Sequence, residues 1–470
     1  METAKAIGQK KTKMSFAKRT VVAESAVPDF EPVRMLEVEI GQPLPAISAA
    51  DPESGAIYRK GLALVRLHTQ PLGLIDVRLD TDGLSAEEYA CQIWQALGPE
   101  IVAHLQQDGF PVITGLDASG IPIAATPPCL AARARFLADA PFVSVIIPTR
   151  EHPDRLATCL CSILASEYPR SRYEIIVADN APRTSATADL VNQTDGGETQ
   201  VRYIREDTPG SASARNRGLT IASGEIVAFT DDDVVVDTHW LTELARGFAD
   251  AEHVACVTGL VVPMELETPA QVWFEQYGGF TREGYARRVF NLTNHRLKTP
   301  LYPYTAGVFG TGNSMAFRRS TLQKIGAFDP MLGNGTPALG GVDSEVLLRT
   351  ILKGQTIVCE PAAIVHHAHR REYTDLRKQI YNYGAGLTAY YVKTLLMNPQ
   401  LVPDFIARLP RGLLFAFSPH SEINQKKEHD YPKELTWIER RGMIYGPLAY
   451  FRSRRWWSRL NHAAAVGEKR

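Results

Sequence analysis

Short apolar runs alternate with amphipathic segments between residues 143 and 229. The runs at 143–147, 173–178 and 225–229 have the length and β-branched composition of buried strands, and residues 202–204 are a weaker candidate. Residues 155–164 place their leucines on one helical face, and residues 212–221 predict a second helix. Strands and helices alternating at this spacing predict an α/β domain with a mostly parallel sheet flanked by helices.

The rest of the chain divides into segments of different character. Residues 1–28 are rich in lysine and predict a disordered tail, either solubilising or in contact with nucleic acid or lipid. Residues 117–141, with several prolines and alanines, predict a linker. We therefore expect a tail at 1–28, a small α/β accessory domain at 29–116, the linker at 117–141, the main domain at 142–372 and a helical C-terminal extension at 373–470.

The accessory domain has two clear elements. Ile75, Val77 and Leu79 alternate as in a half-buried strand, and Ser85 with Glu88 forms a capping box before a helix. The predicted buried face of that helix is Tyr89, Ile93, Leu97, Ile101 and Leu105. A scaffold, a docking module and an acceptor-binding module are all compatible with this pattern.

Composition narrows the class of protein. The 470 residues are 44% hydrophobic and 22% charged, with a formal net charge of −1, as in a globular protein without a general attraction to nucleic acid. No apolar run is long enough for a transmembrane helix, and the N-terminus lacks the apolar segment of a secretory signal. The six cysteines show no zinc or disulfide spacing, so a cytoplasmic location is the default expectation.

Polar clusters follow three of the predicted strands. Residues 148–151 and 179–180 follow the first two strands, and Asp231, Asp232 and Asp233 follow the strand at 225–229. Ligands bind at the carboxyl ends of strands in such sheets, so the clusters predict one binding rim. Carboxylate oxygens suit Mg²⁺ or Mn²⁺, although a solvated acidic turn is the alternative for the triplet alone. Glycine-rich phosphate loops are absent from the sequence, so a nucleotide would be held by acids and a metal.

The order of these motifs resembles glycosyltransferase family 2. The matching segments are VSVIIPT at 143–149, EIIVADN at 174–180, GSASARNRG at 210–218, GEIVAFTDDD at 224–233, GNSMAFRR at 312–319, GAFD at 326–329, GGVD at 340–343 and VHHAH at 365–369. They cover about half of the chain. The chain differs from the family pattern at Val342, where an acid usually precedes the aspartate, and at Ala181-Pro182.

The resemblance implies a Rossmann-like GT-A fold and inverting transfer from a nucleotide-diphospho-sugar, UDP-linked by preference. Thr149, Glu151 and Asp179 are expected near the uracil and ribose. Asp231 and Asp233 match the family's D-x-D motif. The complete candidate set is Pro148, Thr149, Glu151, Asp179, Arg215, Asp231 and Asp232 for the donor, Asp231, Asp233 and His367 for Mg²⁺ or Mn²⁺, and Asp343 as general base.

Several of these residues have structural alternatives. Asp343 precedes a predicted helix and could be only its N-cap. His367 and His369 share one face of a strand while His366 points to the other, and a buried histidine is often purely structural. Arg215 could lie near a diphosphate or only pair with an acid, and Arg370 could contact phosphate or solvent.

The C-terminal extension combines helical and membrane-surface features. Residues 373–397 predict a long helix interrupted at Gly384 and Gly386. Residues 437–460 mix arginines with tryptophan and phenylalanine and are expected to break at Gly446-Pro447. This composition suits peripheral contact with an anionic membrane, or packing on the protein itself.

The sequence therefore predicts a metal-dependent inverting glycosyltransferase with an unknown sugar, glycan or lipid-linked acceptor. A single displacement needs one base, and no second carboxylate stands out as a nucleophile. The alternatives are a non-catalytic nucleotide-sugar-binding or assembly protein on the same fold and a nucleotidyltransferase, for which we find no lysine-bearing phosphate loop.

Overall fold

A computed structural model describes residues 30–467, apart from 53, 123–124, 250–252, 281–283, 306, 419, 426 and 428–429. The predicted tail at 1–28 lies outside the described residues. The described chain begins with a small three-stranded sheet. Strand β1 (Val33–Glu39) runs parallel to β2 (Lys60–Leu67), which forms an antiparallel hairpin with β3 (Gln70–Arg78).

Helix α1 (Ala86–Gln107) covers this sheet. Ser85 and Glu88 form the predicted capping box, and all five residues of the predicted apolar face are buried. The helix has a kink at Leu97, whose backbone is non-helical, because Pro99 lacks an amide hydrogen and its ring clashes with the preceding turn of a helix. The segment then continues into α2 (Pro128–Ala138), a short helix with proline at its first position.

The main domain is built on a nine-stranded mixed sheet. Its strands are β4 (Val143–Thr149), β5 (Tyr173–Asn180), β6 (Gln200–Glu206), β7 (Ile226–Phe229), β8 (Val234–Val236), β9 (Val254–Pro263), β10 (Arg288–Phe290), β11 (Met315–Arg318) and β12 (Thr356–His367). Its helices are α3 (Pro153–Leu164), α4 (Ala186–Gln193), α5 (Ser211–Leu219), α6 (Trp240–Arg246), α7 (Pro269–Tyr277), α8 (Arg319–Ile325) and α9 (Val342–Leu352).

The order across the sheet is β10-β12-β9-β11-β7-β4-β5-β6, with β8 paired to β12. Strands β7, β4, β5 and β6 are mutually parallel, as are β9 and β12, whereas β11 is antiparallel to both of its neighbours. Helices cover both faces. The predicted α/β fold with a mostly parallel sheet, a small N-terminal α/β unit and a C-terminal helical region is therefore confirmed.

Side-chain alternation along β4 shows why the sheet is buried on both faces. Val143, Val145 and Ile147 pack into one apolar core, while Ile146 points into the other. Both sets are fully buried, which accounts for the continuous apolar run in the sequence.

Four helices follow β12. They are α10 (Tyr373–Met397), α11 (Val402–Phe417), α12 (Glu422–Gln425) and α13 (Lys433–Gly467). The expected interruption of α10 at Gly384 and Gly386 is wrong, because these glycines lie inside the helix at close approaches. A Cβ on Gly384 would lie 2.1 Å from the carbonyl oxygen of Glu439 in α13.

The expected break at Gly446-Pro447 is also wrong, since α13 continues through both residues. A proline leaves the carbonyl four residues earlier without its helical donor. That carbonyl belongs to Met443, and the hydroxyl of Thr388 in α10 donates to it at 2.7 Å. None of the helices among the described residues is both long and apolar enough to cross a bilayer.

Candidate active site

The acidic triplet lies where β7 ends, beside the carboxyl ends of β4 and β5. Asp231 forms an ion pair with Arg215 of α5, with its Oδ1 2.9 Å from the guanidinium. Arg215 is 4% exposed and lies over the ring of Phe328, so it is held in place on both sides. Burial raises the pKa of Asp231, and the neighbouring Arg215 opposes that rise.

Asp232 connects the triplet to the end of β4. The hydroxyl of Thr149 donates to Asp232 Oδ2 at 2.5 Å. Burial is the main reason that the pKa of Asp232 rises to about 7, with Asp231 and Asp233 adding repulsion. Burial and, to a smaller extent, mutual repulsion therefore both disfavour full ionisation of these neighbouring acids.

Asp233 contacts the histidine that the sequence singled out. His367 ends β12, and its Nε2 lies 3.5 Å from Asp233 Oδ1, because β8 and β12 pair Val234 with His367. The guanidinium of Arg370 lies 3.5 Å from the other oxygen of Asp233. Burial lowers the pKa of His367 to about 4, so its imidazole is neutral at physiological pH.

Contacts from His367 through His369 to Glu275 favour one tautomer of His367. His367 Nδ1 lies 3.0 Å from His369 Nδ1, and His369 Nε2 lies 2.7 Å from a carboxylate oxygen of Glu275 in α7. A neutral His369 donates from Nε2 to a carboxylate at this distance. His369 Nδ1 is then an acceptor, so His367 donates from Nδ1 and keeps the lone pair of Nε2 directed toward Asp233.

The two carboxylate oxygens of Asp179, at the end of β5, differ in their contacts. The hydroxyl of Tyr203 donates to its Oδ2 at 3.1 Å, whereas the buried Oδ1 has no hydrogen-bond partner among the described residues. Burial raises the pKa of this carboxyl group. A buried oxygen of this kind suits a donor group of a bound ligand.

Other predicted donor-binding residues hold loops around the rim. Glu151 accepts hydrogen bonds from the backbone amides of Arg183 and Thr184, at 2.8 and 3.2 Å, and these contacts lower its pKa. Asn180 accepts from the amide of Gly210 at 2.8 Å. Pro148 lies next to Ala178 in the β4–β5 register, one residue before Thr149.

Asp343, in α9, lies near the acidic triplet. Its Oδ2 accepts from the amide of Gly312 at 3.1 Å, and its Oδ1 accepts from the amide of Ser344 at 2.9 Å. Its charge contributes to the raised pKa of Asp231, so the two carboxylates are within electrostatic range. The alternative that Asp343 is only an N-cap is wrong, because α9 begins at Val342 with Gly341 as its cap.

The residue types around the triplet suit a hard divalent cation, although their donor atoms do not all lie within 4.8 Å of one another in the described structure. Asp231 and Asp233 supply carboxylate oxygens, and His367 supplies an unprotonated nitrogen that faces Asp233. Two oxygens and one imidazole suit Mg²⁺ or Mn²⁺, and a cation would offset the repulsion that adds to burial in raising the pKa of Asp231 and Asp232.

Sequence reasoning missed three contributors to this site. Glu275 orients the histidine chain, Tyr203 donates to Asp179, and the amide of Gly312 donates to Asp343. Glu275 lies 94 residues before His369, so only the folded sheet brings them together. The G-N-S-M segment at 312–315 was part of the recognised motif set, which was the one available signal for Gly312.

Residues 144–326 match the family model described as glycosyl transferase family 2, and this part of the chain is a domain of that family. Similar proteins include the glycosyltransferase AglE of Haloferax volcanii, 36% identical over 22% of this chain and 33% of its own. The pre-mycofactocin glycosyltransferase of Mycobacterium tuberculosis is 25% identical over 52% of this chain and 47% of its own. The chain thus spans less than half the length of these relatives.

Among solved structures, a mannosyltransferase from Pyrobaculum calidifontis, in complex with GDP-mannose and Mn²⁺, is 16% identical with a TM-score of 0.45. It covers 67% of this chain and 95% of its own. GalNAc-T7, solved with UDP, GalNAc and Mn²⁺, is also 16% identical, with a TM-score of 0.38 over 52% and 50% of the two chains.

Proposed function

We propose that this protein is a metal-dependent inverting glycosyltransferase that moves a sugar from a nucleotide-diphospho-sugar, UDP-linked by preference, to an acceptor hydroxyl. The observation that carries the proposal is the 3.5 Å contact between His367 Nε2 and Asp233 at the strand end that carries Asp231, with Asp343 within electrostatic range of Asp231. The family 2 domain and its glycosyltransferase relatives support the same class of reaction.

The donor would bind along the rim formed by β4, β5 and β7. The buried Oδ1 of Asp179 suits a nucleobase or ribose donor group, and the Thr149–Asp232 contact fixes the neighbouring strand end. Arg215 forms an ion pair with Asp231, so we assign it the role of positioning the acidic triplet near the donor diphosphate. A divalent cation held by Asp231, Asp233 and His367 would neutralise the charge that develops on the leaving diphosphate.

Asp343 is the proposed general base. Two backbone amides fix its carboxylate, and an attacking hydroxyl within hydrogen-bond reach could transfer its proton to either oxygen. The hydroxyl oxygen would form the new bond to the anomeric carbon as the bond to the diphosphate breaks. One displacement of this kind inverts the configuration and needs no second carboxylate.

Calorimetric titration of the full chain tests this proposal. UDP, GDP and dTDP would each be titrated with Mn²⁺ and again with EDTA, followed by the sugar conjugates of the nucleotide that binds. We expect metal-dependent binding that Asp231→Asn weakens and Asp207→Asn leaves unchanged, since Asp207 is exposed and pairs only with Arg205 in the described structure. Absence of binding to all three nucleotides by the folded protein would contradict the donor assignment and favour a non-catalytic role.

We also propose that the C-terminal helices contact an anionic membrane. Of the 14 large apolar side chains that are exposed in the described structure, 12 lie between residues 396 and 451, on α10, α11 and α13. Ile444 is 81% exposed and Leu414 67%. Arg440 lies over the rings of Phe417 and Trp437, which joins the apolar faces of α11 and α13.

The basic residues near these apolar faces supply the charge that an anionic surface attracts. Arg441, Arg452, Arg454, Arg455 and Arg459 of α13 are all exposed. Exposed apolar and basic groups on neighbouring helices are typical of proteins that lie on the interface without spanning it. A lipid-linked acceptor would be accessible from such a position.

Vesicle flotation tests the membrane contact. We expect binding to vesicles that contain phosphatidylglycerol and little binding to phosphatidylcholine alone. Ile444→Glu should abolish it, while Ile57→Glu, at a 73% exposed isoleucine of the N-terminal unit, should leave it unchanged. Equal flotation of the Ile444 variant and the unchanged protein would contradict the assignment.

A further inference from the structure

A second cluster of metal-ligating side chains lies outside the family 2 domain, where the small sheet meets α1 and α2. Four donor atoms in it lie within 4.8 Å of one another. We call it the His–Asp–Cys cluster, and it consists of His68, His104, Asp108 and Cys129.

Three separate elements bring these residues together. His68 lies in the two-residue turn between β2 and β3, His104 and Asp108 lie four residues apart at the end of α1, and Cys129 is the second residue of α2. Spacings of this irregular kind give no recognisable zinc motif in the sequence. Three of the four side chains are almost closed to solvent, since those of His68 and Asp108 are each 5% exposed and that of His104 is 11% exposed, and Cys129 is half-buried.

The donor atoms surround one small space. His68 Nδ1 lies 2.9 Å from Asp108 Oδ2 and 3.0 Å from His104 Nε2. Cys129 Sγ lies 2.8 Å from Asp108 Oδ2 and 3.7 Å from His68 Nδ1, and His104 Nε2 lies 3.5 Å from Asp108 Oδ2. A tetrahedral ion with bonds of about 2.0–2.3 Å sets its ligands about 3.3–3.6 Å apart, so small outward shifts would admit one.

Several hydrogen-bonding atoms of the cluster converge on one acceptor. Two ring nitrogens and a thiol all approach the same oxygen, Asp108 Oδ2, while the two nitrogens also face each other. If both rings donate to the carboxylate, their two N–H groups meet across 3.0 Å. A cation among four lone pairs removes this conflict.

Surrounding contacts hold the ligands in place. The amide of Cys129 donates to the second oxygen of Asp108 at 3.1 Å, which fixes the carboxylate plane. The two oxygens of Glu39 accept from the amides of His68 and Thr69 at 3.0 and 2.8 Å. These amides belong to a turn in which both residues have positive φ, and Glu39 stabilises that unusual conformation.

We propose that the His–Asp–Cys cluster binds one structural divalent transition-metal ion, zinc by preference. Two imidazoles, one thiolate and one carboxylate occupy all four positions of a tetrahedral ion, and a closed set of this composition is typical of structural zinc. The donor set contains the sulfur that the hard cations of the triplet would not select. The two sites therefore differ in the class of metal that they would take.

The bound ion would connect the accessory unit to the main domain. Arg133, one turn after Cys129 in α2, forms a buried ion pair with Glu243 of α6 at 2.6 Å. Arg66, two residues before His68, pairs with Asp237 at 2.6 Å. Fixing the turn and α2 to the end of α1 would therefore also fix these two ion pairs between the units.

Metal analysis and cobalt substitution of the full chain test the proposal. Protein purified without added metal should contain one equivalent of zinc. After chelator treatment, Co²⁺ should give a tetrahedral spectrum with a thiolate-to-cobalt charge-transfer band. Cys129→Ser should lose this band, and Cys91→Ser, at an exposed cysteine of α1, should keep it. Cobalt bound at the triplet would lack the band, because its proposed ligands are oxygen and nitrogen.

A second variant tests the proposal even if Cys129→Ser does not fold. His104→Gln keeps the thiol but removes one ligand, so it should weaken cobalt binding at least tenfold and shift the spectrum away from tetrahedral. Substoichiometric zinc in the purified protein together with no thiolate band would overturn the proposal. A band that persists unchanged in Cys129→Ser would overturn it as well, because another thiol would then be the ligand.

Discussion

The histidine chain behind the acidic triplet predicts that Glu275 controls metal affinity without touching the metal. Replacing Glu275 by Ala removes the acceptor that holds the proton on His369 Nε2. His369 can then carry its proton on Nδ1, which would face the Nδ1 proton of His367 across 3.0 Å. His367 relieves that contact by moving its proton to Nε2, and it thereby loses the lone pair that binds the cation.

The expected loss of metal affinity in Glu275→Ala depends on which ligands remain. Asp231 and Asp233 keep their oxygens, so binding is weakened and not abolished. Partners that orient a metal-bound histidine contribute about 10–100-fold in affinity, which corresponds to about 1.4–2.7 kcal/mol. Glu275 is 24% exposed at its side chain, so water can fill the space and we expect the fold to tolerate alanine.

Titration of the free Mn²⁺ signal by electron paramagnetic resonance, with the nucleoside diphosphate present, measures this affinity. Glu265→Ala is the matched control, because it removes the same charge nearby while Glu265 hydrogen-bonds Gln271 and Arg371 and not the histidines. Equal Mn²⁺ affinity in the Glu275 variant and the control would refute the tautomer assignment. A loss in both variants would show that only net charge matters.

Three further changes have expected outcomes. Asp343→Asn should leave donor binding nearly unchanged and reduce transfer about 10²–10⁴-fold, measured by release of the nucleoside diphosphate; turnover at the original rate would exclude it as the base. Gly384→Ala should lower the free energy of unfolding by about 1–3 kcal/mol in urea, because its methyl would meet the Glu439 carbonyl. Gly412→Ala in α11 should not, because its methyl would make only an ordinary contact with Leu301 at 3.9 Å. Burial raises the pKa of Glu360 to about 7, so ionising this carboxyl group disfavours folding. The free energy of unfolding should therefore fall by about 3 kcal/mol between pH 4.5 and 7, relative to the Glu360→Gln variant. Parallel pH profiles of stability for the two proteins would contradict this.

The sequence predicted the parts of the site that depend on local pattern. Apolar runs predicted β4, β5 and β7, and parallel pairing then brought Thr149, Asp179 and Asp232 to one edge. His367 and His369 were expected on one side of a strand and His366 on the other. In the structure His367 contacts His369, while His366 lies 3.1 Å from Glu37 of the small sheet.

Long-range contacts were not predictable in the same way. Nothing near Glu275 indicates that it will meet His369, because the contact depends on how α7 packs beside β12. The His–Asp–Cys cluster spans 61 residues between His68 and Cys129, and its one local signal is the four-residue spacing of His104 and Asp108 on α1. The predicted interruption of α10 at Gly384 was wrong because helix propensity disfavours glycine, whereas the close approach of α13 requires glycine there.

Close packing of α10 also connects the C-terminal helices to the candidate active site. Gly386, one half-turn from Gly384 in α10, lies so close to the 340–341 loop that a Cβ there would meet the Gly340 carbonyl carbon at 2.7 Å. Gly341 caps α9, and Asp343 is the second residue of that helix, so the position of α10 limits where the carboxylate can lie. Because α13 packs along α10 and carries the exposed apolar and basic side chains, a force that moves α13 at a membrane would reach Asp343 through two packed contacts. Membrane contact and base position are therefore expected to be coupled, and transfer should respond to anionic vesicles even with an acceptor dissolved in water.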